Sequence, residues 1–293
     1  MANKAETLNH GELGEDGVYR METDFAGLLD LCEKPSTWAR DSASTQTDDH
    51  YGKHEWTLGV NFDGARKLAL NGWPEGRERM GEAIKGIQGA QQRAPAQTLD
   101  VGGDYPCIPA VVAGDPLNMH TAGIDLRATR PVVKFVVSMS FSCDTKADAI
   151  VNRGAAILCA LDTLENDGVS VELVVQNNVT GYGKVRRAQM DVLCKRAGEP
   201  LDIDRASFML VHPAMLRRLG FRLYELEPVL EDSYAGGYGG PKNPAISEED
   251  AGRAVVFDAI AGNQSLYATP EKSRDTVTAC IKKSLPHLFT NEA

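Results

Sequence analysis

The sequence predicts an α/β fold: three layers around a mainly parallel sheet, with a helical lobe ahead of it. PVVKFVVSM (131–139) and VSVELVV (169–175) are short β-branched runs, nearly continuous in apolar residues, as strands covered on both faces must be. Between them lies a segment of helical periodicity long enough for a crossover, so the two should be neighbouring parallel strands joined right-handedly. Beyond them, strand-like and helix-like segments keep alternating to the end of the chain.

The chain divides into a poorly structured segment 1–53, a helical lobe with a Gly/Pro-rich connector 54–130, and the α/β domain 131–293. In the first segment only DFAGLLDL (24–31) offers a helix, and RDSASTQTDDHYGKH (40–54) reads as exposed loop with almost nothing to bury. The lobe begins at Trp56. Asn61 can cap a helix through Phe62, Ala65, Leu68 and Ala69, and Gly72 supplies its stop. Trp73-Pro74 turns the chain, and a second helix over 77–92 is weakened by internal glycines that each cost about 1 kcal/mol against alanine. Trp56, Phe62 and Trp73 are the expected anchors of the lobe on the domain. The stretch 99–119 alternates short apolar pairs with Gly and Pro and reads as an ordered connector.

Within the domain, Asp144 or Thr145 should cap a long helix that ends at Gly168. After the second strand, QNNVTGYG reads as a loop, and 184–198 as a strand with basic positions suited to a sheet edge. Asp202 or Asp204 starts the next helix, His212-Pro213 breaks it, and YAGGYGGPKNP (234–244) reads as a flexible insertion. GRAVVFDAIAG (252–262) is a strand again, and Pro270 opens a last helix that runs to Pro286.

Composition narrows the function. At 293 residues and 42% hydrophobic content the chain can build a proper core. A formal charge of -10, with no Lys/Arg block longer than two residues, removes the electrostatic footprint of a duplex binder, so no nucleic-acid partner is expected. No apolar run reaches membrane-spanning length and the polar, acidic start is unlike a signal peptide, so the expected setting is cytoplasmic with no membrane partner. The six cysteines show no CxxC or Cys/His spacing of a zinc site. Phosphate-loop, dinucleotide and nucleophile-elbow sequences are missing. His212, with Ser142 or Cys143 as nucleophile, is the nearest approach to a catalytic pair, and a histidine before proline more often packs. Arg153 and the Arg217-Arg218 pair are the most pointed polar residues in apolar surroundings.

The joint after the first strand is where α/β sheets bind ligands, and there the chain reads VVSMSFSCD (136–144). A strand, SxSxS, a long helix, a strand and an antiparallel-looking strand together resemble the von Willebrand factor A fold, a Rossmann-like arrangement. In that family the loop reads DxSxS and holds Mg2+ with a later Thr and Asp. The resemblance sets Ser138 at the aspartate and Ser140 and Ser142 at the metal-binding serines. Asp144, two residues further on, could supply the missing charge, and Asp258, at the end of VVFD, could be the later carboxylate. Neutral hydroxyls compensate the dehydration of Mg2+ poorly, so the expectation is a degenerate loop with no cofactor, Mg2+ being the alternative.

A second resemblance covers roughly 55–225. The blocks WTLGVNFDGARKLALNGWPEG, DVGGDYPCIPAVVAGDPLNM, NRGAAILCALDTLENDG with VELVV, and LVHPAMLRRLGFRLYE are similar to an uncharacterised family encoded by tailed bacteriophages. It implies expression in a bacterial host cytoplasm and brings no known activity. Two function classes follow. The first is a non-enzymatic protein-binding or scaffolding module, acting with an assembly or ATPase partner from phage or host. Its contacts would be Ser140, Ser142, Asp144, Tyr234 and Tyr238, tyrosine giving contact area at low entropic cost. The second is a metal-dependent hydrolase of a phosphorylated or nucleotide substrate, which requires Asp144, Asp258 and His212 to converge on the serine loop.

Overall fold

The computed structural model describes residues 11–39, 42–45, 56–76, 78, 97–102, 105–122, 130–234 and 237–286. They fall into two compact units, one formed by Met1–Ile87 with Val132–Ala293 and a smaller one by Gln88–Pro131. The smaller unit holds strands β3 (Gln97–Asp100), β4 (Tyr105–Pro106) and β5 (Met119–Ala122), with the short helix Ile108–Ala113 between β4 and β5. These strands pair antiparallel in the order β3-β5-β4. The expected lobe 54–130 is therefore corrected: its first part joins the larger unit, and its connector is a small β unit of its own. Among its described residues the strands are only two to four residues long, which is why the sequence shows little periodicity there. The helix expected over 77–92 lies almost wholly outside the described residues.

The larger unit is an α/β body. In chain order it comprises β1 (Gly11–Leu13), β2 (Val18–Asp24), α1 (Phe25–Glu33), α2 (Phe62–Asn71), β6 (Val132–Ser138), α3 (Ala147–Asn166), β7 (Ser170–Thr180) and β8 (Arg187–Lys195). Then follow α4 (Ile203–Val211), a π-type turn Met215–Gly220, α5 (Phe221–Glu225), β9 (Gly240–Pro241), β10 (Ala254–Phe257) and α6 (Pro270–Ser284). The sheet runs β1-β2-β8-β7-β6-β10, with β9 also on β7. Pairings β2 with β8, β6 with β7 and β10 with β6 are parallel and hold most of the paired positions; β1 with β2, β7 with β8 and β7 with β9 are antiparallel.

The two strands the sequence reading relied on, β6 and β7, are parallel neighbours from Val132 opposite Ser170 to Ser138 opposite Gln176. Their crossover, α3, buries Ile150, Ile157, Leu158, Leu161 and Leu164. Its N-terminus differs from expectation. Neither Asp144 nor Thr145 caps it; Lys146 stands at the cap, and its N–H donates to Gln264 Oε1 at 3.1 Å, so another segment supplies the cap.

Segment 1–53 is also corrected, because residues 11–24 belong to the sheet. In β2, Tyr19, Met21 and Thr23 are buried while Arg20 and Glu22 are exposed, an alternation short enough to hide among charges. β2 covers β8 along its length, so β8 is an inner strand, not an edge. Within the stretch read as exposed loop, Ser44 is fully buried and its hydroxyl donates to Glu225. The anchors Trp73 and Phe62 do pack on the body: Trp73 is buried edge-on to His212, 4.6 Å between centroids, and Phe62 lies 4.7 Å beneath the Arg222 guanidinium.

β8 sets Asp191 opposite Gln176 on one side and Glu22 on the other. Asp191 Oδ2 accepts from Gln189 Nε2 at 3.1 Å, whereas Oδ1 is buried without a hydrogen-bond partner among the described residues. Burial pushes the carboxyl up to about 6, the Gln189 bond opposing and Glu22 adding to the rise. The folded chain thus keeps a proton that the unfolded chain releases near 3.8. The group favours the fold below that pH, and its contribution is lost as pH rises through about 6. Asp191→Asn is expected to remove this drift and raise the melting temperature at pH 8 by roughly 2–8 °C. Melts of both proteins at pH 4 and 8 check it; an unchanged difference between the two pH values would refute the assignment.

Candidate functional site at the carboxyl end of the sheet

β6 leads through α3 to β7 on one side and has β10 on the other, so its carboxyl end is the switch point where ligands are expected. Here Arg153 fills that place. From α3 its guanidinium donates to the carbonyls of Ser138, at 2.8 Å, and Phe257, at 3.0 Å, the last residues of β6 and β10. The side chain is buried, and burial pushes its pKa down; the Tyr267 ring, 5.8 Å away, and Asp258 favour the charge. Arg153 therefore ties helix to strand ends.

The serine loop is woven into the sheet. β6 pairs with β7 as far as Gln176, and β9 takes up β7 again from Val179, leaving Asn177 and Asn178 between them. Ser140 fills this gap. Its hydroxyl donates to Asn177 Oδ1 at 2.7 Å and accepts the Asn178 backbone N–H at 2.9 Å, standing in for a strand partner. Ser138 Oγ accepts the Ser140 N–H at 3.1 Å. Ser142 is held through its backbone, its N–H on the Ile260 carbonyl and its carbonyl receiving Arg217 and the Thr145 N–H. The three serines are thus engaged with strand and loop. Cys143, Asp144 and Asp258 are exposed. Among the described residues no three His, Cys, Asp or Glu side chains gather as a metal-ligand set. His212 is buried against Trp73 and Phe208, and its Nδ1 accepts the Ala214 N–H at 3.0 Å, a packing role.

Ser140, Tyr234 and Tyr238 do come together. They line one groove of about 450 Å³, along with Trp56, Phe141, Cys143, Asn177, Tyr182 and Arg217. The tyrosines are not a flexible recognition loop, and that expectation is corrected. Tyr234 is 1% exposed and packs on Tyr224. Tyr238 stacks on Phe221 at 3.8 Å; its hydroxyl donates to Glu225 Oε1 and accepts the Ala43 N–H. The following segment is sewn to β7 by side-chain amides: Gln176 exchanges two hydrogen bonds with Ala245, and Asn178 Nδ2 donates to the Asn243 carbonyl. QNNVT, read as loop, is strand because those amides meet partners on the neighbouring chain segment.

The exposed aromatic of the groove is Tyr182, at 72%. Neither it nor Asn177 stands out in the sequence; paired amides next to an apolar strand are the available signal. The π-type turn turns both Arg217 and Arg218 inward. Arg218 donates to the carbonyls of Val60, Ala43 and Ser44, and Arg217 to those of Trp56 and Ser142.

Among the described residues no helix is long and apolar enough to cross a membrane. No curated protein and no solved structure matches the chain. A family model does match, over residues 15–283 and so across both units, and the chain belongs to that family, described as Domain of unknown function (DUF7192).

Proposed function

We propose that the protein is a non-enzymatic protein-binding or scaffolding module of von Willebrand A-like, three-layer organisation, and that its recognition surface is the groove beside the serine loop. One observation carries this reading: Ser140 is spent inside the fold, while Tyr182 and Cys143 remain exposed in an aromatic-walled groove, and Asp144, next to Cys143 in the chain, is exposed as well. The antiparallel β8 beside the parallel β7, β6 and β10 supports the organisation. The donor set fits Mg2+ poorly, since Ser138 stands where an anion is needed and the Ser140 hydroxyl already both donates and accepts. Resemblance to phage-encoded chains points to an assembly or ATPase partner of phage or host, met in the bacterial cytoplasm.

The test compares the parent with Tyr182→Ala/Asp144→Ala, both surface changes that should leave melting unchanged within about 0.5 kcal/mol. Proteins retained by the parent from infected-cell extract are expected to be lost from the variant. An identical retained set, or Mg2+-dependent phosphodiester hydrolysis by the parent that Asp144→Ala abolishes, would replace the binding module with the hydrolase.

A further inference from the structure

Arg217 is 2% exposed, yet no carboxylate pairs with it among the described residues. Two of its N–H donors go to the carbonyls of Trp56, at 2.7 Å, and Ser142, at 3.3 Å. Its guanidinium lies 3.8 Å from the centre of the Trp56 ring and 5.5 Å from that of Phe141. Carbonyls and π faces offset only part of the cost of burying a cation, which runs to several kcal/mol. Burial pushes its pKa down to about 10, so the group is still charged at neutral pH.

Asn177 shows the same imbalance. It is 1% exposed; its Oδ1 accepts the Ser140 hydroxyl, and its Nδ2 is buried with no partner among the described residues. Such an orphaned donor costs about 1–3 kcal/mol. Arg217 and Asn177 line the same groove, and among the described residues no acidic side chain lines it, although the chain carries a net charge of -10. Among those residues the groove combines one cation, one amide donor and aromatic walls, with no anionic acceptor.

We propose that this groove is a binding site for a carboxylate carried on an apolar or aromatic body, with Arg217 and Asn177 Nδ2 as its donors. A monoanion matches a single buried guanidinium, and the planar carboxylate suits its forked donors. A phosphate dianion would be left half neutralised. A groove of about 450 Å³ admits a small acid or the last residue of a chain, and the Trp56 and Phe141 rings receive an apolar body. This rests on the reading of the groove as recognition surface, and the carboxylate can come from a partner's chain end or from a free small acid.

The experiment titrates the full chain by calorimetry with phenylacetate, with phenylacetamide, and with a short N-acetylated peptide ending in phenylalanine, as free acid and as amide. Saturable binding is expected from at least one carboxylate, and at least 10-fold weaker binding from its amide. Stronger binding of the peptide acid identifies a chain end as the source; binding of phenylacetate alone identifies a small acid. Arg217→Met should abolish binding. Because Arg217 also holds Trp56 and Ser142, Asn177→Asp is the second variant: it keeps the Ser140 acceptor and sets a like charge against the ligand. It should weaken the carboxylate at least 10-fold in a protein whose melting curve shows that it is folded at the titration temperature. Equal binding of acid and amide, no binding of either acid, or full binding by Asn177→Asp would overturn the proposal. The capture result for Tyr182→Ala/Asp144→Ala is read separately, so loss of partner proteins alongside no carboxylate binding would reject this site and leave the binding module in place.

Discussion

Replacing Glu225 by alanine is expected to destabilise the chain by about 3–5 kcal/mol, with a fall in melting temperature of roughly 10 °C or more. Glu225 is fully buried at the end of α5. Its carboxylate accepts from the Ser44 N–H and hydroxyl and from the Tyr238 hydroxyl, and Arg222 Nε stands 3.6 Å from Oε2. Its carbonyl receives the Thr37 N–H at 2.7 Å and the hydroxyls of Ser36 and Thr37. One residue thus holds the incoming N-terminal segment, the groove tyrosine and a buried arginine. Truncation leaves Arg222 as a buried cation without its acid and several donors without acceptors. Limited proteolysis should show faster cleavage between residues 34 and 60 alongside the lower melting point. A variant within about 1 kcal/mol of the parent would show that these bonds are readily replaced.

Gly154→Ala is expected to cost about 2–3 kcal/mol, although alanine is the better helix former by about 1 kcal/mol. A Cβ at Gly154 would lie 2.4 Å from the Leu210 carbonyl oxygen and 2.7 Å from Val211 Cγ2, so α3 and α4 cross backbone against backbone. Both neighbours belong to a helix with a buried face, and neither can swing away as a surface side chain could. The helices must separate, and with α3 moves Arg153 one residue before. Urea unfolding measures the net. An alanine variant more stable than the parent would mean that propensity outweighs the close approach.

What could be read beforehand followed from strong local patterns. The β-branched runs of β6 and β7, the apolar face of α3, the Asn61 cap with its bond to Gly64 and the Gly72 stop are all where periodicity and capping chemistry put them. β2 was missed because its buried positions alternate with Arg20, Glu22 and Asp24, and its burial depends on a strand far away in the chain. The groove was half legible. Serines at the end of an apolar strand and tyrosines among glycines drew attention to segments that do meet, but not to their roles. Whether a hydroxyl faces solvent or completes a neighbour's hydrogen bonding is decided by the gap between β6 and β9, which no local pattern reports. Arg153, Arg217 and Arg218 were legible as unusual and not as carbonyl clamps, because their acceptors lie on distant backbone.

The parallel pairing of β2 with β8 has a consequence for synthesis. Val18 lies opposite Arg187 and Asp24 opposite Leu193, so the first long strand made has its neighbour more than half a chain downstream. At roughly 5–20 residues per second, the ribosome leaves VYRMETD without its partner for on the order of ten seconds or more. In that interval its edge is guarded by Arg20 and Glu22, charges of the kind that discourage stray strand pairing. Ser36, Thr37 and Ser44 wait as well, because their acceptor Glu225 is translated later still. Non-local closure of this kind slows folding. A strand made early is thus seated late, and a nascent chain stalled before β8 exposes it to chaperones and proteases.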